Sequence, residues 1–163
     1  MRPATDILRD EHQVILRALL TLESAAEQLG AGGALPEGRW TDMIAWLRAF
    51  ADRNHHAKEE KVLFPAMIKA GVPADGGPIA VMLEEHAEGR ALLARMYTGE
   101  PADQAAAARR YIRLLRDHID KEDGVLFPLA DAVLDEHDQA EVRRDFADLE
   151  TQLVEPALQL AHD

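Results

Sequence analysis

Two stretches of this 163-residue chain repeat one order of histidine, acid and apolar residues. The first reads His55-His56-Ala57-Lys58-Glu59-Glu60-Lys61-Val62-Leu63-Phe64-Pro65. The second, 63 residues further on, reads His118-Ile119-Asp120-Lys121-Glu122-Asp123-Gly124-Val125-Leu126-Phe127-Pro128. Their common pattern is His-x-x-x-Glu, a second acid, one free position and then Val-Leu-Phe-Pro. Residues four apart on a helix lie one above the other on the same face. His55 therefore projects beside Glu59, and His118 beside Glu122. Ile44, Ala51 and Leu63 flank the first pair, and Leu114, Leu115 and Leu126 the second, so folding should bury this face. A buried carboxylate without a partner carries a severe desolvation cost. A metal cation neutralises two such carboxylates together. Two further segments show the same anomaly. His12 falls among Leu8, Ile15, Leu16 and Leu19, and His86 among Ile79, Met82, Leu83 and Leu93. Imidazole with carboxylate suits iron, manganese or zinc, and two bridging carboxylates argue for two ions.

Taken singly, each of these residues has an ordinary explanation. A lone core histidine usually serves a hydrogen bond. A His-Glu pair four apart usually lies solvated on a helix surface. The pair recurs with the same downstream Leu-Phe-Pro, and two other segments supply inward histidines, which reverses the weighting toward metal. The register has one alternative, because His56 and Glu60 also stand four apart. His55–Glu59 is preferred, since it keeps the same distance to Leu-Phe-Pro in both copies. His56 is left open between metal ligand and outer partner of a ligand.

Long helices are needed to bring these segments together. Thr5 is expected to cap the first helix, with Asp6 in its first turn. Gly30, Gly32, Gly33 and Pro36 end it. A second helix is expected over about 38–63, kinked or restarted at Pro65, followed by a turn over 71–78. A third is expected over about 79–97, a fourth over about 102–126 with an interruption at Pro128, and an amphipathic fifth over about 139–161. Apolar residues recur at helical spacing and not in strand-like alternation. The expected fold is all-α, an up-down-up-down four-helix bundle with an extra C-terminal helix. It forms one domain over 1–163, with the bundle at about 5–130 and the last helix at about 138–161.

Hydrophobic residues make up 47% of the chain and aromatics only 5%, so Leu, Ala, Val and Ile must build the core. The absence of cysteine excludes disulfides, zinc–thiolate sites, iron–sulfur clusters and cysteine nucleophiles. A net charge of −12 repels nucleic-acid phosphates but not metal cations. No signal-peptide core follows the N-terminus, and no apolar run reaches the length of a membrane span. A cytoplasmic protein without nucleic-acid or membrane partners is expected.

Together these residues resemble the hemerythrin and HHE-domain family over roughly Asp6 to Pro128. The resemblance rests on Asp10-Glu11-His12, on His55-His56-Ala57-Lys58-Glu59-Glu60 with Leu63-Phe64-Pro65, on Glu85-His86, and on the second His-x-x-x-Glu with Leu126-Phe127-Pro128. It implies a four-helix bundle holding two iron ions with an oxo or hydroxo bridge. It implies His12 and His55 as ligands of one iron, His86 and His118 as ligands of the other, and Glu59 and Glu122 as bridges. The usual pattern has a further histidine one turn before His86, where this chain has Met82. His56 is the residue that restores five histidines, with Glu85 or water as substitutes. The family's last bridge is usually an aspartate five residues after its histidine. Here the repeat favours Glu122 at four, with Asp123 at five as the alternative.

The leading functional expectation is binding or sensing of a diatomic ligand, O2 or NO, at this centre. Ferritin-like oxidases instead use Glu-x-x-His motifs and more carboxylate. A di-iron enzyme is the second expectation, breaking down peroxide or donating iron for iron–sulfur repair. A metal-free structural bundle is the third. His137 and His162 read as surface residues, and Glu84, Glu85 and Glu88 as a solvated face. Met43, Met67, Met82, Met96, Trp40 and Trp46 read as packing, and Tyr111 as a core tyrosine seven residues before His118.

Overall fold

The computed structural model describes residues 2–160, so His162 lies outside the described residues. The chain opens on α1 (Thr5–Gly30). A long helical rod over 39–69 follows, made of α2 (Arg39–Leu47), the π-helical segments π1 (Arg48–His56) and π2 (Glu59–Leu63), and α3 (Phe64–Lys69). Next come α4 (Pro78–Thr98) and α5 (Pro101–Lys121), the latter continued by π3 (Glu122–Leu126) and α6 (Phe127–Val133). The last helix is α7 (Glu136–Leu160). No strand occurs among the described residues, and no helix is long and apolar enough to cross a membrane.

Thr5 is not a cap. It is the first helical residue, and its Oγ1 donates to Asp131 Oδ1 at 2.6 Å instead. The helix start is satisfied from elsewhere, since the Ala4 amide donates to Gln139 Oε1 at 2.8 Å. Pro78 opens α4 rather than closing the preceding turn, where Gly71 and Gly76 adopt φ of 108° and 70°. Only glycine takes such angles without strain.

The four long elements close a ring. α1 packs against α5 and the 39–69 rod, and α4 packs against the same two neighbours. The core inside that ring is in two pieces. One cluster contains Ile15, Leu19, Ala51, Leu92, Leu115 and Ile119. The other contains Leu8, Leu63, Met82, Phe127 and, from α7, Val142 and Phe146. Between them each element contributes polar residues with almost no exposed surface: His12; His55, His56, Lys58 and Glu59; His86; and His118 with Glu122. Leu83, expected beside His86, turns outward and is 40% exposed.

The π segments follow from the spacing of inward residues. Leu47, Ala51, His55, Glu59, Leu63 and Met67 are all buried, each four positions after the last. An α-helix overshoots a full turn by about 40° for every four residues, hence by about 200° over those five steps. It could not keep all six on one face. The i→i+5 bonds of a π-helix use more residues per turn and correct the drift. His118, Glu122, Leu126 and Ala130 repeat the spacing, and π3 lies within that run. π2 and π3 both end at the residue before Phe-Pro. Pro65 and Pro128, which lack an N–H, sit in the first turn of the next α segment, so neither breaks its rod.

Helix α7 is part of this packing, through Phe146 at 1% exposure. Phe146→Ala should cost about 3–5 kcal/mol in chemical unfolding. A loss under about 1 kcal/mol would show that α7 unfolds separately from the bundle.

Candidate metal centre

The polar layer gathers the ring nitrogens and carboxylate oxygens of seven residues. His56, Glu59, His86 and His118 form one group and His12, His55 and Glu122 another, with candidate ligand atoms inside each group within 4.8 Å of one another. The two carboxylates tie the groups together. Glu122 Oε1 lies 3.2 Å from His12 Nε2 and 3.0 Å from His118 Nε2. Glu59 Oε1 lies 3.6 Å from His55 Nε2 and 3.3 Å from His86 Nε2. Each glutamate thus faces one histidine from either group. His86 Nε2 and His118 Nε2 approach to 3.2 Å, and the His56 and His86 rings stack at 3.8 Å.

Both adjacent histidines, His55 and His56, therefore point inward. His55 belongs with His12, and His56 with His86 and His118. In a regular α-helix adjacent side chains diverge by about 100°. Here both lie at the end of π1, one at 1% and the other at 4% exposure. Glu60 and Asp123, the alternative acids, take outer positions. Glu60 Oε2 accepts from His86 Nδ1 at 2.7 Å, and Asp123 Oδ1 accepts from His12 Nδ1 at 2.8 Å.

Those two contacts belong to a set that sequence reasoning missed. Glu11 Oε1 accepts from His55 Nδ1 at 3.0 Å, and Glu85 Oε1 from His118 Nδ1 at 2.9 Å. Asp52 Oδ1 lies 3.7 Å from His56 Nδ1. Every one of these five histidines thus has a carboxylate behind Nδ1, which directs the Nε2 lone pair to the centre. Glu85, expected on a solvated face, is only 15% exposed for this reason. The sequence carries only their adjacency, not the helix each one meets. Glu11, Glu60, Glu85 and Asp123 each stand one position from an inward residue, and each serves a histidine on the next element around the ring. The phenylalanines of the repeat add to this: Phe64 stacks on His86 at 6.0 Å and Phe127 on His12 at 5.3 Å.

Four buried atoms of this layer have no hydrogen-bond partner: His55 Nε2, both oxygens of Glu59, and Glu122 Oε2. Native interiors rarely leave such groups unpaired. The donor set therefore fits metal ions. Tyr111 is 1% exposed within the apolar core, where burial pushes its phenol up, in keeping with a packing role. His137 is 78% exposed on α7. Met67, Met82 and Met96 are buried in the apolar clusters.

The model of the hemerythrin HHE cation binding domain matches residues 4–130. Uncharacterized proteins of Mycobacterium bovis and of two strains of Mycobacterium tuberculosis are each 30% identical over 133 residues, covering 76% of this chain and 51% of the relative. The chain thus spans about half the length of the curated relatives it matches.

Without metal, burial dominates the titration of the histidines. It holds His56 and His118 down to about 4 and His86 to about 2, from 6.5. In the unfolded chain these imidazoles take up protons below about pH 6.5. The unfolded state then binds more protons, so stability falls as pH falls from 6.5 toward 4. His12 adds nothing to that slope. Burial lowers it, but Asp123 and Glu122 prevail and raise it to about 9, so its contribution is complete below 6.5. Glu122, raised by burial from 4.5 to about 7, opposes the slope as one group against four, since burial also holds His55 well below 6.5. Metal-free protein should therefore lose thermal stability steadily between pH 6.5 and 4, as read by circular dichroism. A flat profile would contradict burial of neutral imidazoles.

Proposed function

The chain belongs to the hemerythrin HHE cation-binding domain family, and on that premise we propose that it binds or senses a diatomic ligand, O2 or NO, at two iron ions held inside an up-down-up-down bundle. His12 and His55 would hold one iron, and His56, His86 and His118 the other. Glu59 and Glu122 would bridge them. The observation that carries this reading is the pair of glutamates with no exposed surface, each facing one histidine from either group. One cation would leave a carboxylate uncompensated, whereas two cations use both bridges.

Bound iron supplies an electron-rich centre to which such ligands attach reversibly. The protein's own residues do the rest. Five imidazoles against two carboxylates favour reversible attachment over hard oxidation, which carboxylate-rich centres support. Phe64 and Phe127 wall the histidines and keep water from the centre. His56 takes the place left by Met82, which packs in an apolar cluster at 2% exposure.

Protein expressed with iron should contain close to two irons per chain by elemental analysis. Full iron retention in the Glu59→Ala, Glu122→Ala double variant would sink the bridging assignment. The ultraviolet–visible spectrum of the iron-loaded protein should change with O2 or NO and revert when the gas is removed. Sustained turnover of peroxide without a stable gas adduct would favour the enzymatic reading instead.

A further inference from the structure

Lys58 is a positive charge with no exposed surface, three residues after His55 and one before Glu59. An unpaired buried ammonium is very costly. Lys58 Nζ resolves that cost with two carboxylates from different helices. It donates to Glu11 Oε2 of α1 through a short hydrogen bond, and to Glu150 Oε1 of α7 at 2.5 Å. Glu11 is the acid behind His55. Its Oε2 also accepts from Asn54 Nδ2 at 3.1 Å, which leaves Oε1 for His55 Nδ1 at 3.0 Å. The far nitrogen, His55 Nε2, is among the orphaned atoms at the centre. A continuous chain of charge-assisted contacts thus runs from a half-exposed residue of α7 to a candidate metal ligand. Helix α7 lies beyond the 4–130 segment matched by the family, yet it packs its Val142 and Phe146 into the cluster containing Leu63 and Phe127.

We propose that Lys58 is a positioning residue that couples docking of helix α7 to metal binding, through Glu150, Lys58, Glu11 and His55. The inference rests on the metal reading above. When α7 is docked, Glu150 shares the lysine charge and the lysine fixes Glu11, so His55 is held in the orientation that presents Nε2. When metal occupies the centre, the same contacts hold α7 down, because coupling between two sites is reciprocal.

The test uses the full chain loaded with cobalt(II), which is spectroscopically visible and does not depend on iron chemistry. Release of cobalt to excess chelator and hydrogen exchange over residues 139–153 are measured for the parent, Lys58→Met and Glu150→Ala. In the parent, cobalt should slow exchange across α7 about tenfold or more. Lys58→Met should release cobalt roughly tenfold faster. Both variants should lose the cobalt-dependent protection while α7 stays helical, a result that a merely structural lysine would not give. Should Lys58→Met fail to fold, Glu150→Ala decides alone, because that side chain is 53% exposed and its loss leaves the Lys58–Glu11 pair intact. Bound cobalt with identical α7 exchange in loaded and metal-free parent overturns the coupling only. A parent that takes up no cobalt overturns the metal reading and the coupling with it.

Discussion

Glu59 and Glu122 each sit with no exposed surface between two apolar clusters, and three of their four oxygens lack a hydrogen bond. Water cannot reach them, and five nearly buried imidazoles surround them. The fold is arranged around the need to neutralise that charge. Apolar packing above and below supplies the stability of the bundle, and it also removes the solvent that would otherwise screen the carboxylates. A layer of this kind is a liability unless a cation completes it. The π segments belong to the same constraint. They hold inward side chains at every fourth position, so that histidine, glutamate and leucine of one rod share a single face.

Around this layer the outer acids form a closed circuit. Glu11 of α1 supports His55, Glu60 of the second rod supports His86, Glu85 of α4 supports His118, and Asp123 of π3 supports His12. Each element orients the histidine of its neighbour, so no histidine is aimed by its own helix alone, except His56 with Asp52. This explains why the repeat carries an acid directly after the inward glutamate and a phenylalanine five residues beyond it. In one copy Glu60 and Phe64 hold His86, and in the other Asp123 and Phe127 hold His12.

The inward face was legible in sequence because its signal is periodic: histidines and glutamates stood where Leu, Ile and Ala stood one turn away. The five helices were legible for the same reason, but the second and fourth run on through Pro65 and Pro128 to Lys69 and Val133, past the ends expected at about 63 and 126. The outer acids were not, because each is adjacent in sequence to an inward residue but contacts a different helix. Local spacing says nothing about which neighbour a side chain meets across a bundle, so Glu85 read as solvated. His56 was a candidate beside His55, but 3.6 residues per turn sets adjacent side chains about 100° apart and left its role open. The unbroken four-residue spacing from Leu47 to Met67 carried the warning, since an α-helix would have spread those positions over about 200°. Thr5 misled because its hydroxyl is used across the fold, on Asp131.

Cations stand behind most of the outer acids, and this decides the charge of the ligands themselves. Arg90 donates to Asp52 at 2.8 Å and to Glu60 at 2.6 Å, Lys121 donates to Glu85 at 2.5 Å, and Lys58 donates to Glu11. Burial raises Asp52 and Glu85, but His56 and Arg90 on one, and Lys121 and His118 on the other, lower both below their ordinary values. Acids held in their anionic form by a cation are poor bases. They accept a hydrogen bond from Nδ1 without removing its proton. The imidazoles therefore remain neutral, with a fixed tautomer and a free lone pair on Nε2. Asp123, at 37% exposure the most open of the five outer acids, has no such cation among the described residues. It raises His12 together with Glu122, so His12 favours its protonated form where the other imidazoles do not. The centre is thus chemically uneven: burial holds four imidazoles toward the neutral form, and two carboxylates hold the fifth toward the charged one.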